Sequence, residues 1–166
     1  MRQSQLKKIA ETCEKKITKK FFYTNPYKHL IVDDFLPIDL AKKCMDSFPN
    51  LNSKAWEHEN DKGIEVKSRT TWNNEFDIPN NIISCVRILN SSLLLNAFSK
   101  VFGIQKLVPD PYFSGGGLNI TQKGGLLDVH IDGNYHDATG LNRRMNALIY
   151  LNPDWEKSWG GELGIY

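Results

Sequence analysis

The sequence predicts an α+β fold in which N-terminal helices support a largely antiparallel β-sheet. Apolar residues recur at helical spacing through most of the chain up to Gly103, whereas short runs typical of strands dominate after it. This order, helices first and strands later, is typical of α+β proteins with helices on one face of the sheet. The length of 166 residues suits one domain. Within it, residues 1–112 would form a helical support region with short strands, and 113–166 the core of the sheet.

Four helices are predicted from apolar residues spaced three and four positions apart. Proline suits the first turn of the second and third helices, Asn90-Ser91-Ser92 can cap the fourth, and Gly103 can end it. The first helix carries six lysines on its outer face, which we interpret as a solvated face rather than an arm for acidic partners or membranes. The predicted helices cover residues 4–21, 37–48, 79–89 and 91–102.

Strands are predicted where β-branched and aromatic residues alternate with polar ones. Residues 50–77 indicate one or two strands within a polar region, and His58 lies there in an acidic cluster that we interpret as a solvated loop. The polar, glycine-containing segment 133–142 is predicted to be a loop. The other predicted strands are 29–32, 115–119, 126–129, 145–151 and 160–163.

Composition argues against several classes of protein. The net charge of +2 gives no global support for nucleic-acid or membrane binding. Cys13, Cys44 and Cys85 match no zinc-binding spacing, their odd number argues against a disulfide framework, and we expect buried thiols. The N-terminus lacks the apolar core of a secretory signal, and no apolar run is long enough to span a bilayer. We therefore expect a cytoplasmic protein.

The residues with the clearest chemistry lie around His130-Ile131-Asp132. Side chains two positions apart in a strand point the same way, so His130 and Asp132 would project together. One imidazole and one carboxylate are two of the three ligands in the facial triad of non-haem Fe(II) oxygenases. An isolated pair of this kind also occurs as a plain surface hydrogen bond, and the pair alone does not distinguish the two.

The residues that follow the pair make the context more specific. Tyr150-Leu151-Asn152 ends a predicted strand, and Trp155 and Gly160-Gly161-Glu162-Leu163 come after it. Together with 115–119 and Arg143-Arg144, this segment resembles the 2-oxoglutarate/Fe(II)-dependent dioxygenases, in particular the prolyl 4-hydroxylase-like branch. The resemblance implies a double-stranded β-helix, or jelly roll, whose mouth holds the metal.

The resemblance also implies the chemistry. His130 and Asp132 would bind Fe(II), 2-oxoglutarate would be the cosubstrate, and ascorbate would be a further cofactor. The reaction would hydroxylate an unactivated C–H bond, with a prolyl residue of a protein or peptide as the favoured substrate and small molecules as alternatives. Tyr150 occupies the position of the family tyrosine that contacts 2-oxoglutarate. Further residues expected near the cosubstrate are Asn146, Asn119, Thr121 and Leu163.

The family also needs a second histidine and a downstream Arg or Lys, which this chain would contain only beyond Tyr166. We therefore expect a longer oxygenase of which this is the N-terminal portion, without its last strands. This portion would be catalytically incomplete, with weak iron binding and little or no turnover. His136 is a less favoured third ligand, because its loop would have to fold back sharply. Two other hypotheses remain: a non-catalytic jelly-roll module that binds a sugar or peptide, and a structural protein in which His130 and Asp132 only hydrogen-bond.

Overall fold

The computed structural model describes residues 1–61 and 63–166, which form two compact units. Unit 1 contains Met1–Ser47, Ile78–Pro111 and Ile165–Tyr166, and unit 2 contains Phe48–Asp77 and Tyr112–Gly164. Residues 48–77 thus associate with the C-terminal segment, although the sequence assigns them to the helical region. Helices and antiparallel strands occur together, as expected of an α+β fold.

Unit 1 is built from the predicted helices, which the structure confirms with adjusted ends. Ser91 caps the last of them by accepting a hydrogen bond from the Leu94 amide at 3.4 Å, and Gly103 ends it with a left-handed φ of 69°. The first helix is shorter than predicted, because Lys16 and Ile17 donate to carbonyls three residues back and close its last turn. The helices are α1 Gln3–Glu14, α2 Ile38–Met45, α3 Asn80–Leu89 and α4 Ser92–Phe102.

The apolar faces of these helices form the core of unit 1. Two short antiparallel strands, β1 (Phe22–Tyr23) and β2 (His29–Leu30), accompany them. Within the described residues, no single helix is long and apolar enough to cross a bilayer, and α3 and α4, which reach that length together, are bent by 47°. The buried apolar residues of these helices are Ala10, Cys13, Leu40, Cys44, Ile82, Ile83, Cys85, Ile88 and Leu94.

Unit 2 contains an antiparallel sheet centred on one strand. That central strand pairs with one neighbour on one side and with two very short strands on the other. The polar region 50–77 therefore does contain two strands, and the acidic cluster around His58 lies on the first of them rather than in a loop. The strands are β3 (Glu57–Asp61), the central β4 (Glu65–Arg69), β5 (Asn119–Ile120) and β6 (Leu126–Leu127).

The glycine-rich segment before β5 packs closely against the end of β4. The backbone of Leu118 exchanges hydrogen bonds with Thr70, through the Thr70 amide and hydroxyl, both at 2.9 Å. A Cβ at Gly117 would lie only 2.0 Å from the Thr70 carbonyl oxygen, so this approach requires glycine.

Two predicted strands are absent and three are shorter than predicted. Residues 145–151 and 160–163, all described, lie outside any strand. β2 ends at Leu30 instead of Val32, β6 ends at Leu127 instead of Val129, and β5 begins only at Asn119. Alternating side chains show that a segment can be extended, but a strand also needs a neighbour to receive its backbone hydrogen bonds. Met145, Ile149 and Leu151 are nevertheless less exposed than Asn146, Leu148 and Tyr150. Ala147 is exposed, so the predicted alternation persists in the extended chain at every position except that one.

Candidate metal centre

The backbone on both sides of the candidate pair brings it back towards residues 143–146. The Asp128 amide donates to the Ile64 carbonyl at 2.8 Å, which extends the pairing of β6 with β4 by one residue. After Asp132 the predicted loop closes on itself, with Arg143 donating to Asn134 at 2.8 Å. This antiparallel closure places Asp132 beside the segment that begins at Arg143.

His130 and Asp132 face each other, with 3.6 Å between Nε2 and Oδ1. The other ring nitrogen of His130, Nδ1, lies 2.7 Å from the Asp128 carbonyl oxygen. Because a carbonyl only accepts hydrogen bonds, Nδ1 must carry a proton and donate it. In the neutral imidazole, Nε2 then presents a lone pair towards Asp132, which is the tautomer required of a metal ligand.

The second oxygen of Asp132 is held on the other side of the carboxylate. The Asn146 amide donates to Oδ2 at 3.2 Å, and the Arg143 guanidinium lies 3.6 Å from the same oxygen. These contacts turn Oδ1 towards His130. The side chains of His130 and Asp132 are each 46% exposed. Because Asp132 is half exposed to water, its ion pair with Arg143 contributes at most about 1 kcal/mol to folding.

The pair fits two positions of a divalent metal site. Two ligands at right angles, with bonds of about 2.1 Å as in octahedral sites, lie about 3 Å apart. The observed 3.6 Å is slightly longer, and half-exposed side chains can close that difference by small rotations. Within residues 1–61 and 63–166, no group of three or more His, Cys, Asp or Glu side chains is arranged to hold a metal. The described part of the chain therefore supplies a pair of candidate ligands rather than a triad.

Of the residues expected near the cosubstrate, only Asn146 has a described contact with the pair. Tyr150 is largely exposed, yet desolvation by the surrounding protein raises the pKa of its phenol. Thr121 lies against Gly125, Asn119 pairs with Arg69 in the sheet, and Leu163 is exposed.

His136, the less favoured third ligand, makes its described contacts elsewhere in unit 2. Its Nε2 lies 2.9 Å from the Ser114 hydroxyl, and its Nδ1 accepts from the Thr139 amide at 3.2 Å. Its ring also packs 5.5 Å from that of Tyr112. Use of His136 as a ligand would require one of these nitrogens to leave its partner.

Two contributors to the site are not evident from the sequence. Arg143 belongs to the resembling motif, but its contact with Asp132 depends on how the loop closes. The Asp128 carbonyl sets the tautomer of His130. Because every residue has a backbone carbonyl, the sequence does not indicate which one contacts His130. The sequence signal for the contact of Arg143 with Asp132 is the presence of a cationic residue shortly after the His-x-Asp pair.

Comparison with known proteins supports the interpretation of this segment. Residues 116–166 match a family model described as the 2OG-Fe(II) oxygenase superfamily. No curated protein and no solved structure matches the chain. The matched segment contains His130, Asp132, Asn146 and Tyr150, and it indicates an oxygenase-type enzyme of a family that uses Fe(II) and 2-oxoglutarate.

Proposed function

We propose that this protein is an Fe(II)/2-oxoglutarate-dependent dioxygenase that hydroxylates an unactivated C–H bond. The observation that carries the proposal is the pairing of His130 with Asp132, 3.6 Å apart, inside the segment that matches the oxygenase family. We further propose that this segment belongs to a jelly-roll core of the prolyl 4-hydroxylase-like type. The antiparallel pairing of β4, β5 and β6 supports that core.

In this proposal each polar group around the pair has one task. His130 Nε2 and Asp132 Oδ1 hold the metal, and the Asp128 carbonyl keeps the proton of His130 on Nδ1. Asn146 and Arg143 hold Oδ2, which leaves Oδ1 aimed at the metal position. When bound, Fe(II) and 2-oxoglutarate supply the oxidation of the C–H bond.

The cosubstrate is proposed to contact residues on the same segment. Tyr150 is suited to donate a hydrogen bond to a carboxylate of 2-oxoglutarate, because a phenol carries its proton at neutral pH. Asn119 and Thr121 are the proposed polar neighbours, and Leu163 the proposed apolar wall. Ascorbate is proposed as the reductant that maintains Fe(II).

The proposed substrate is a prolyl residue of a protein or peptide, with other small molecules as alternatives. The only support for proline is the arrangement Tyr150-Leu151-Asn152, Trp155 and Gly160-Gly161, which is similar to the prolyl hydroxylase branch. We propose a cytoplasmic enzyme without nucleic-acid or membrane partners. The net charge of +2 is consistent with the absence of both kinds of partner.

The test uses Mn(II), a redox-stable probe for the Fe(II) site, followed by turnover. Wild-type protein should bind Mn(II), as seen by electron paramagnetic resonance, and His130→Ala and Asp132→Ala should each weaken binding at least tenfold. The control is His29→Ala in unit 1, which removes an imidazole distant in sequence and should bind as the wild type does. Unchanged binding in either variant of the pair would remove the metal assignment.

Turnover is then measured on the full-length product of the gene, as succinate formed from 2-oxoglutarate with Fe(II) and a panel of proline-containing peptides. Succinate that depends on both Fe(II) and peptide, and is lost in His130→Ala, would establish the enzyme and its substrate class.

A second function is favoured by one observation. The described residues bring together a pair of metal-ligating side chains and not a triad. A non-catalytic jelly-roll module that keeps His-x-Asp by descent would fit this arrangement. It is distinguished by binding a peptide or sugar equally well with and without metal, and by binding that persists in Asp132→Ala.

A further inference from the structure

Three cysteines that are far apart in sequence meet in the core of unit 1. Cys13 lies on α1, Cys44 on α2 and Cys85 on α3, and all three are free and buried. The thiols of Cys44 and Cys85 interact, and each shifts the pKa of the other. Cys13 instead directs its thiol to the Phe35 carbonyl at 3.3 Å. The cluster therefore consists of one pair and one separate thiol.

Backbone geometry independently supports the pairing of Cys44 with Cys85. The Cys44 sulfur lies 3.5 Å from the carbonyl oxygen of Asn81, a residue in the first turn of α3. In an α-helix, the carbonyl of Asn81 is the regular acceptor of the Cys85 amide one turn later. Cys44 is therefore directed at the part of α3 from which the Cys85 side chain projects.

We propose that Cys44 and Cys85 form a redox-active dithiol that hydrogen peroxide converts into a disulfide joining α2 to α3. The Cys44 thiolate attacks the peroxide, the O–O bond breaks, and Cys44 sulfenic acid and hydroxide form. The Cys85 sulfur then attacks the Cys44 sulfur, the S–O bond breaks, and the products are the disulfide and water. In sum, two thiols and one peroxide give one disulfide and two waters.

The environment assigns different roles to the two sulfurs. The hydrogen bond from Cys85 lowers the pKa of the Cys44 thiol, although burial acts in the opposite direction. The same hydrogen bond, together with burial, raises the pKa of Cys85. Because the thiolate is the nucleophile, Cys44 is the attacking group and Cys85 the resolving one. Burial also raises the pKa of Cys13, which keeps that thiol protonated and unreactive.

Burial limits access of the oxidant to the two thiols, and we expect access through local opening of α2. α2 has eight residues and is the shortest α-helix of unit 1, so it can open locally at lower cost than the longer α-helices. Oxidation should therefore be slow in buffer and faster in urea below the unfolding transition. The disulfide would close the loop from residue 44 to residue 85, which restricts the unfolded chain and raises the unfolding midpoint.

The test treats the reduced full chain with equimolar hydrogen peroxide, alkylates the remaining thiols and maps the peptides by mass spectrometry. The expected result is loss of two alkylatable thiols, a Cys44–Cys85 cross-linked peptide, and full alkylation of Cys13 after denaturation. Cys13→Ala is the matched control and should form the same cross-link at the same rate. In Cys85→Ala, Cys44 should stop at the sulfenic acid, which dimedone captures.

The proposal is overturned if all three cysteines remain alkylatable after peroxide treatment in sub-denaturing urea. A cross-link that includes Cys13, or Cys44 over-oxidised without any cross-link, would overturn it as well. Because peptide mapping of the wild type is sufficient, a variant that fails to fold does not affect the outcome.

Discussion

Unit 1 and the C-terminal segment of unit 2 differ in the burial of their apolar side chains. In unit 1 the inward faces of α1 to α4 are buried, and Ile88 is only 1% exposed. In residues 121–164 the large apolar side chains are mostly exposed, and Ile131, inside the His-x-Asp motif, is 90% exposed. Both regions have a regular apolar pattern in the sequence, so pattern alone does not decide burial.

The difference follows from where each kind of element finds its hydrogen bonds. A helix satisfies its backbone internally and then buries one face against any neighbouring helix. A strand satisfies its backbone only through another strand, so the alternation at residues 145–151 creates an extended chain and no ladder. The candidate metal centre lies in this second kind of region and is positioned by side-chain contacts and one loop closure.

The largest expected effect tests the core of unit 1 against this exposed segment. Ile88→Ala should lower the free energy of unfolding by about 2–5 kcal/mol, because it removes buried methyl groups and leaves a cavity. Ile131→Ala is the matched control and should change it by less than about 0.5 kcal/mol, because the side chain contributes little buried surface. Urea denaturation followed by circular dichroism measures both. Equal losses in the two variants would contradict the comparison.

A second prediction asks how much of unit 2 depends on one close approach. Gly117→Ala should destabilise unit 2 by about 1–3 kcal/mol, because its Cβ would overlap the Thr70 carbonyl at the edge of the sheet. Gly133→Ala, where a Cβ meets nothing within 4 Å, serves as the control. Tryptophan fluorescence reports on unit 2 through the buried Trp56 and Trp72. A Gly117→Ala protein as stable as the control would show that the backbone can shift there.

A third prediction concerns the local signals that define helices in unit 1. Ser91→Ala removes the side-chain acceptor of the Leu94 amide and should cost about 1 kcal/mol. Ser91→Asp restores an acceptor at the same position and should recover most of the loss. Urea denaturation of the two variants gives the difference. Loss of the same size in both would mean that the cap hydrogen bond is not the cause.

The smallest expected effect concerns the pH dependence at Tyr150. Its pKa is raised in the folded protein, so the neutral phenol is favoured by folding. This contribution to stability is complete below the unfolded pKa, near 10, and is lost as the pH rises through the higher folded value. Absorbance titration at alkaline pH should show one late tyrosine that disappears in Tyr150→Phe. If the titration lost in Tyr150→Phe has an ordinary midpoint near 10, the pKa of Tyr150 is not raised and the prediction is wrong.

Much of the site could be anticipated because its chemistry depends on residue identity and short spacing. The pair of His130 and Asp132, and its place in an oxygenase-like segment, follow from residues close together in the chain. The contacts of Arg143 and Asn146 with Asp132 could not be anticipated in detail, because they depend on the closure of residues 134–143. The Cys44–Cys85 pair could not be anticipated either, because it joins two helices across a long loop.

The sequence by itself determined the helices of unit 1, their capping residues and the identity of the candidate metal-binding pair, because these depend on interactions within a few residues. Only the tertiary structure decided which segments became strands, which thiols met and which oxygen of Asp132 faces His130. Those outcomes depend on hydrogen bonds and contacts with residues distant in sequence, and a local sequence pattern does not specify which distant residues make them.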